Sequence, residues 1–133
     1  LEALVKFLYT IIYVADVPAT LNFYVKAFGC KIRFLHENKQ FGELDTGSVL
    51  LGFASEFTAR NHMGNFAKNH LDNPLPAGFE IAFGTDDVQK AYDHALTSGA
   101  LAVQPPMKKP WGPVVAYVRD FNGIIVELCS PME

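Results

Sequence analysis

Residues 11–32 read IIYVADVPATLNFYVKAFGCKI, and residues 114–128 read VVAYVRDFNGIIVEL. The first stretch opens on an apolar run, passes Asp16 and Pro18, and then sets Leu21, Tyr24, Val25 and Phe28 at helical spacing before Gly29. A run of this kind followed by a cap residue and an early proline predicts a buried strand at 8–14 feeding a helix whose i, i+3, i+4, i+7 face lies on a sheet. Asp16 is placed to accept the first free amides of that helix, and Gly29 to end it. The second stretch predicts strands at 114–119 and 124–129, joined by a tight turn from Asp120 in which Gly123 can take positive φ.

Between these anchors the hydrophobic period keeps switching at turn signals. Strands are expected at 31–37, 40–45 and 48–54, broken at Asn38-Lys39 and Thr46-Gly47. A stretch at 55–77 carries four asparagines and two prolines and is expected to be a linker or lid. The pattern then restarts with a strand at 79–84, an acidic turn at Asp86-Asp87, a helix at 88–98 and a strand at 102–105. Val88, Ala91, Tyr92, Ala95 and Leu96 share one face of that helix. Punctuation recurs almost in register: Asp16-Val17 matches Asp87-Val88 at an offset of 71, Gly29 matches Gly99 at 70, and Gly47 matches Gly123 at 76. The chain therefore reads as an α+β domain of two tandem βαβββ modules with curled mixed sheets forming a cleft, module 1 at about 5–54 and module 2 at about 78–131.

Composition limits the rest. With 133 residues, half of them hydrophobic, and a net charge of −3, one compact domain is expected rather than a disordered or membrane-embedded chain. No run of about 18 apolar residues is present, the first nine residues lack a cleavage-site pattern, and the mild acidity speaks against nucleic acid. Cys30 and Cys129 stand far apart in no metal-type spacing, which predicts reduced thiols and a cytoplasmic setting.

The two quoted stretches resemble the opening and closing signatures of the glyoxalase I, bleomycin-resistance protein and extradiol dioxygenase superfamily, the vicinal oxygen chelate group. The matches fall at Val14, Asp16, Phe23, Tyr24, Phe28 and Gly29, and at Tyr117, Arg119, Asp120, Asn122, Gly123, Val126, Glu127 and Leu128. The likeness runs from about residue 8 to 131. It implies the fold above and a homodimer, but one scaffold hosts several chemistries.

Metal-dependent members carry ligands on the first and last strand of each module. Transferred to this chain, those positions hold Tyr9, Leu51, Glu80 and Glu127, where the family pattern wants His or Gln, Glu, His or Gln, and Glu. Only Glu127 conforms. Glu80 and Glu127 are the metal candidates if a divalent ion binds at all, but two carboxylates are too few for a first-row ion, and no cofactor is expected. None of His36, His62, His70 and His94 lies in a metal-type spacing.

Strand parity predicts the cleft lining. Tyr9, Ile11 and Tyr13 share one face of the first strand; Val49, Leu51 and Phe53 share one of the fourth; Ala82 accompanies Glu80, and Ile125 and Cys129 accompany Glu127. Trp111, Phe57 and Phe66 are candidates for a wall or lid. An aromatic and aliphatic cleft with two carboxylates suits a mostly apolar organic ligand carrying a positive charge. The expected ligand residues are Tyr9, Ile11, Tyr13, Leu51, Phe53, Glu80, Trp111 and Glu127, with Glu80 and Glu127 the candidates for acid and base should there be turnover. The preferred reading is a binding protein of the bleomycin-resistance type. The alternatives are a metal-dependent glyoxalase-like lyase, isomerase or dioxygenase with nonstandard ligands, or a domain that contacts a protein partner through Trp111 and the apolar loop; the loop residues Met63, Phe66 and Leu71 fit either a lid or the interface of a homodimer.

Overall fold

The computed structural model describes residues 4–131. Eleven elements follow one another among them: β1 (Tyr9–Val14), α1 (Val17–Phe28), β2 (Ile32–Leu35), β3 (Phe41–Leu44), β4 (Leu50–Ser55), α2 (Glu56–Met63), β5 (Glu80–Gly84), α3 (Val88–Thr97), β6 (Leu101–Lys108), β7 (Val114–Arg119) and β8 (Ile125–Cys129). They form two four-stranded mixed sheets with the same connectivity, β1-β4-β3-β2 and β5-β8-β7-β6, the first and last strand of each module pairing in parallel. Two compact units result. Among the described residues, unit 1 holds those up to Val25 together with Cys30–Lys68, and unit 2 holds Lys26–Gly29 and those from Asn69 onward.

In unit 1 the helix forms as its sequence dictates. The Asp16 carboxylate accepts the Ala19 amide at 3.0 Å, and Gly29 at φ +70° turns the chain out of the helix. Val17, Thr20, Leu21 and Tyr24 are buried against the sheet, and the Tyr24 ring lies 5.2 Å from that of Phe53. Each fully buried ring stabilises the unit by about 1.5–3 kcal/mol. Val25 is 39% exposed, contrary to the expected apolar face: the buried stripe follows 17, 20, 21, 24 and 27, one helical position round from it.

Two further expectations are corrected in unit 1. Parallel pairing sets Tyr9 beside Leu50, Ile11 beside Gly52 and Tyr13 beside Ala54, so Leu51 and Phe53 take the opposite, helix-covered face. A register one residue away from the expected one sends every side chain of β4 to the other side. The stretch 55–77 is not all loop either, because α2 occupies its first third. Ser55 caps that helix by accepting the Thr58 amide at 3.1 Å, its own hydroxyl donating to the Gln40 side chain.

Unit 2 repeats the plan. Asp87 caps α3 by accepting the Lys90 amide at 3.0 Å, and Val88, Tyr92 and Ala95 are buried on its inner face. Beneath that face lie Ala116, Val118, Val126 and Leu128, all buried on the helix side of the sheet. The Phe28 ring lies 5.3 Å from Phe83 on that side. The edge strand β6 runs longer than its sequence suggests, through Pro105 and Pro106, and its pairing with β7 is irregular between Ala102 and Met107. A proline gives no amide to a ladder, which accounts for the irregularity.

Candidate functional site

The second sheet brings the two candidate carboxylates onto one face. Its register aligns Glu80 with Ile125 and Arg119, and Ala82 with Glu127 and Tyr117. Val126, Leu128, Ala116 and Val118 alternate with these residues and are buried on the helix side, which leaves Glu80 exposed and Glu127 and Tyr117 half-buried on the other.

The acids touch. Glu80 is hydrogen-bonded to Glu127, and its carboxyl is raised above the usual range, first by partial desolvation and then by the bond to, and repulsion from, Glu127. The Tyr117 hydroxyl donates to Glu127 Oε1 at 3.1 Å. Glu80 thus keeps its proton longer than an isolated carboxyl, and the Glu127 carboxyl lies between it and the Tyr117 donor. Desolvation, followed by the bond to Glu127, also raises the Tyr117 phenol. Cys129 stands one pair further along β8, its thiol raised by desolvation and by Glu127.

Arg119 shares the carboxylates' face by register, yet its guanidinium does not pair with them. It donates from Nε to the Gly123 carbonyl at 2.9 Å and from Nη2 to the Asn73 carbonyl at 3.2 Å. Among the described residues neither Glu80 nor Glu127 has a cation within ion-pairing distance. The closing motif is otherwise structural: Asp120, fully buried, accepts the amides of Asn122 at 2.8 Å and Ile124 at 2.9 Å, and Gly123 adopts φ +84°.

The other expected ligand residues lie in different settings. Tyr9 and Ile11 are exposed on the open face of the first sheet, and Tyr13 on that face is partly covered by Phe66, ring to ring at 4.8 Å. Trp111 is 67% exposed at the tip of the β6–β7 hairpin, and Phe57 is exposed on α2. Unit 1 also contains a surface cavity of about 470 Å³ at the start of α1 and α2, lined by Asp16, Lys39, Gln40, Ser55, Arg60 and Lys68 among others. It includes none of the eight expected ligand residues, although Phe57, expected as a wall or lid, lines it.

The donor set does not fit a family-type metal centre. Among the described residues no group of three or more His, Cys, Asp or Glu side chains converges. The residue beside Tyr9 on its face is Leu50 rather than Leu51, and neither leucine has a donor atom. A first-row divalent ion typically takes three or more protein donors.

A family model described as the Glyoxalase/Bleomycin resistance protein/Dioxygenase superfamily matches residues 6–128. The chain belongs to this superfamily. Among curated proteins it is 26% identical over 124 residues to the uncharacterized protein YraH of Bacillus subtilis, covering 92% of this chain and 96% of that one. It is 28% identical over 127 residues to the lactoylglutathione lyase GLX1 of Arabidopsis thaliana, covering 92% of this chain but 43% of that protein, so it spans under half the length of that relative. Among solved structures, a glyoxalase-related enzyme from Fulvimarina pelagi superposes with a TM-score of 0.80 at 17% identity, over 95% of this chain and 88% of the other. That likeness supports the superfamily fold. No helix among the described residues is long and apolar enough to cross a membrane.

Proposed function

We propose that this superfamily member binds a small, mostly apolar organic compound with a positively charged group and holds it without turnover, as a bleomycin-resistance type protein would. One observation carries the reading: Glu127 accepts hydrogen bonds from Glu80 and Tyr117 on an open sheet face, and among the described residues no cation pairs with it. A bound ammonium or amidinium group would supply that charge, with Ala82 and Ile125 giving apolar contact beside it.

Equilibrium binding of a cationic aromatic probe, with its neutral isostere as control, tests this. The cation should bind at least tenfold more tightly, about 1.4 kcal/mol. Glu127→Gln should abolish the preference and Glu80→Gln, which keeps a donor toward Glu127, should retain it. Equal binding of probe and isostere would sink the reading.

Several curated relatives named as lactoylglutathione lyases favour a second reading, that activity. Lactoylglutathione turnover by the purified protein with added Ni²⁺, Zn²⁺ or Mg²⁺, lost in Glu127→Gln, would establish it over sequestration. Resemblance to the family further supports a homodimer, for which sedimentation should give twice the chain mass.

A further inference from the structure

We infer that Arg119 is a positioning residue that sets where the ligand bed ends, by fastening the segment His70–Asn73 as a wall beside the β7–β8 turn. The inference rests on the Glu80–Glu127 face being the ligand site. Its basis is where Arg119 stands and what it bonds. Register puts Arg119 opposite Ile125, which lies beside Glu80, one row from Tyr117, Glu127 and Ala82. A guanidinium at that place has an acid on its own face, yet both of its bonds go to main-chain carbonyls, Gly123 in the β7–β8 turn and Asn73 in the preceding loop. The side chain is only 7% exposed as a result.

The loop passes close enough that a side chain at 123 has no room. A Cβ built on Gly123 would stand 2.7 Å from the His70 carbonyl oxygen and 2.7 Å from Arg119 Nη2. Arg119 and Gly123 of the closing motif therefore act together: one leaves the space and the other fastens the segment into it. The planar fork of arginine reaches two carbonyls from separate segments, which a lysine ammonium on one stem does less well.

Two effects on the ligand follow. With its charge held by carbonyls, Arg119 leaves Glu127 for the ligand's cation. With the segment fixed at the Arg119 end of the face, an apolar tail running along the strands from the Tyr117–Glu127 row in that direction has two residues of strand rise, about 7 Å, before it meets the wall. That length corresponds to an alkyl chain of about five or six carbons.

A series of alkyltrimethylammonium salts from butyl to decyl serves as a ruler. For the unaltered protein, affinity should rise with each added methylene up to the wall and then stay flat. For Arg119→Gln it should keep rising past that point, by about fourfold per methylene. The same limit in both proteins overturns the wall alone, whereas no binding of any chain length by the unaltered protein overturns the cation site and the wall with it. Should Arg119→Gln fail to fold, amide chemical shifts of the unaltered protein decide. Salts longer than the limit should move the His70–Asn73 signals while shorter ones move only those around Glu80, Glu127 and Tyr117; equal responses to both would refute the wall.

Discussion

Replacing Gly123 by alanine asks whether the loop is docked on the β7–β8 turn, and Gly29→Ala provides the control. Both glycines sit at positive φ, +84° and +70°. Alanine in that region costs roughly 1–2 kcal/mol, and the restriction it places on the unfolded chain is common to both variants. Their surroundings differ. A Cβ at 29 meets nothing within 4 Å, whereas one at 123 meets two atoms at 2.7 Å, one of them the backbone oxygen of His70. To admit the methyl group the loop must shift, and the Arg119 bond to Asn73 at 3.2 Å is the contact it gives up. A hydrogen bond from a charged donor is worth about 1.5–3 kcal/mol, so Gly123→Ala should lose about 2.5–5 kcal/mol against about 1–2 for Gly29→Ala. Urea unfolding followed by far-ultraviolet circular dichroism measures both. With m of about 1–3 kcal/mol/M, the Gly123 variant should unfold at a midpoint lower than its control by roughly 1 M. Equal losses in the two variants would mean that the loop is not held where the structure puts it.

Other expectations concern titration and capping. Because the Glu80 pKa is raised on folding, its contribution to stability is complete below the unfolded carboxyl's pKa of 4.5 and is lost as pH climbs through the folded value. Thermal unfolding across pH 4–8 should therefore show Glu80→Gln gaining on the unaltered protein as pH rises; a gap that is constant with pH would contradict the raised Glu80 carboxyl. Burial pushes the Cys30 thiol up to about 11, so at pH 8 it should react with a disulfide reagent far more slowly than after denaturation, and a rate matching the unfolded chain would refute that burial. Ser55→Ala removes the α2 cap and should cost about 1 kcal/mol by urea titration, an unchanged midpoint counting against the bond to Thr58.

Much of this architecture was legible because punctuation and period agree. Asp16 with Gly29 and Asp87 with Gly99 bracket the two long helices, and β7 occupies the residues that alternation assigns to it. What escaped were features set by tertiary register or by weak local signals. Leu51 and Phe53 are as apolar as the expected lining requires, but only the pairing of Tyr9 with Leu50 decides which face they take. The α2 helix is short and polar with a single buried residue, Ala59, so it has almost no hydrophobic period; Ser55 followed by Glu56 was the one cue. At the site, alternation grouped Ala82 with Glu80, and Ile125 and Cys129 with Glu127; the strand register is what joins the two sets on one face. Alternation could not show that Tyr117 donates to Glu127, although the Tyr117–Glu127 cross-strand pair follows once the turn at Asp120 is fixed. The role of Arg119 was out of reach, since its partner carbonyl belongs to a residue 46 positions away.

The two prolines of β6 bear on how this protein behaves at high concentration. Successive residues of an edge strand point their amides alternately toward the neighbouring strand and toward solvent. Pro105 and Pro106 are adjacent, so between them they delete one donor from each side. Another chain trying to extend the second sheet at this edge would find its template broken in the middle, with no unbroken run longer than Leu101–Gln104 on one side of the gap. A strand in which Leu101, Val103 and Met107 are all exposed would otherwise be a sticky border, and here the backbone itself discourages fibrillar growth along it.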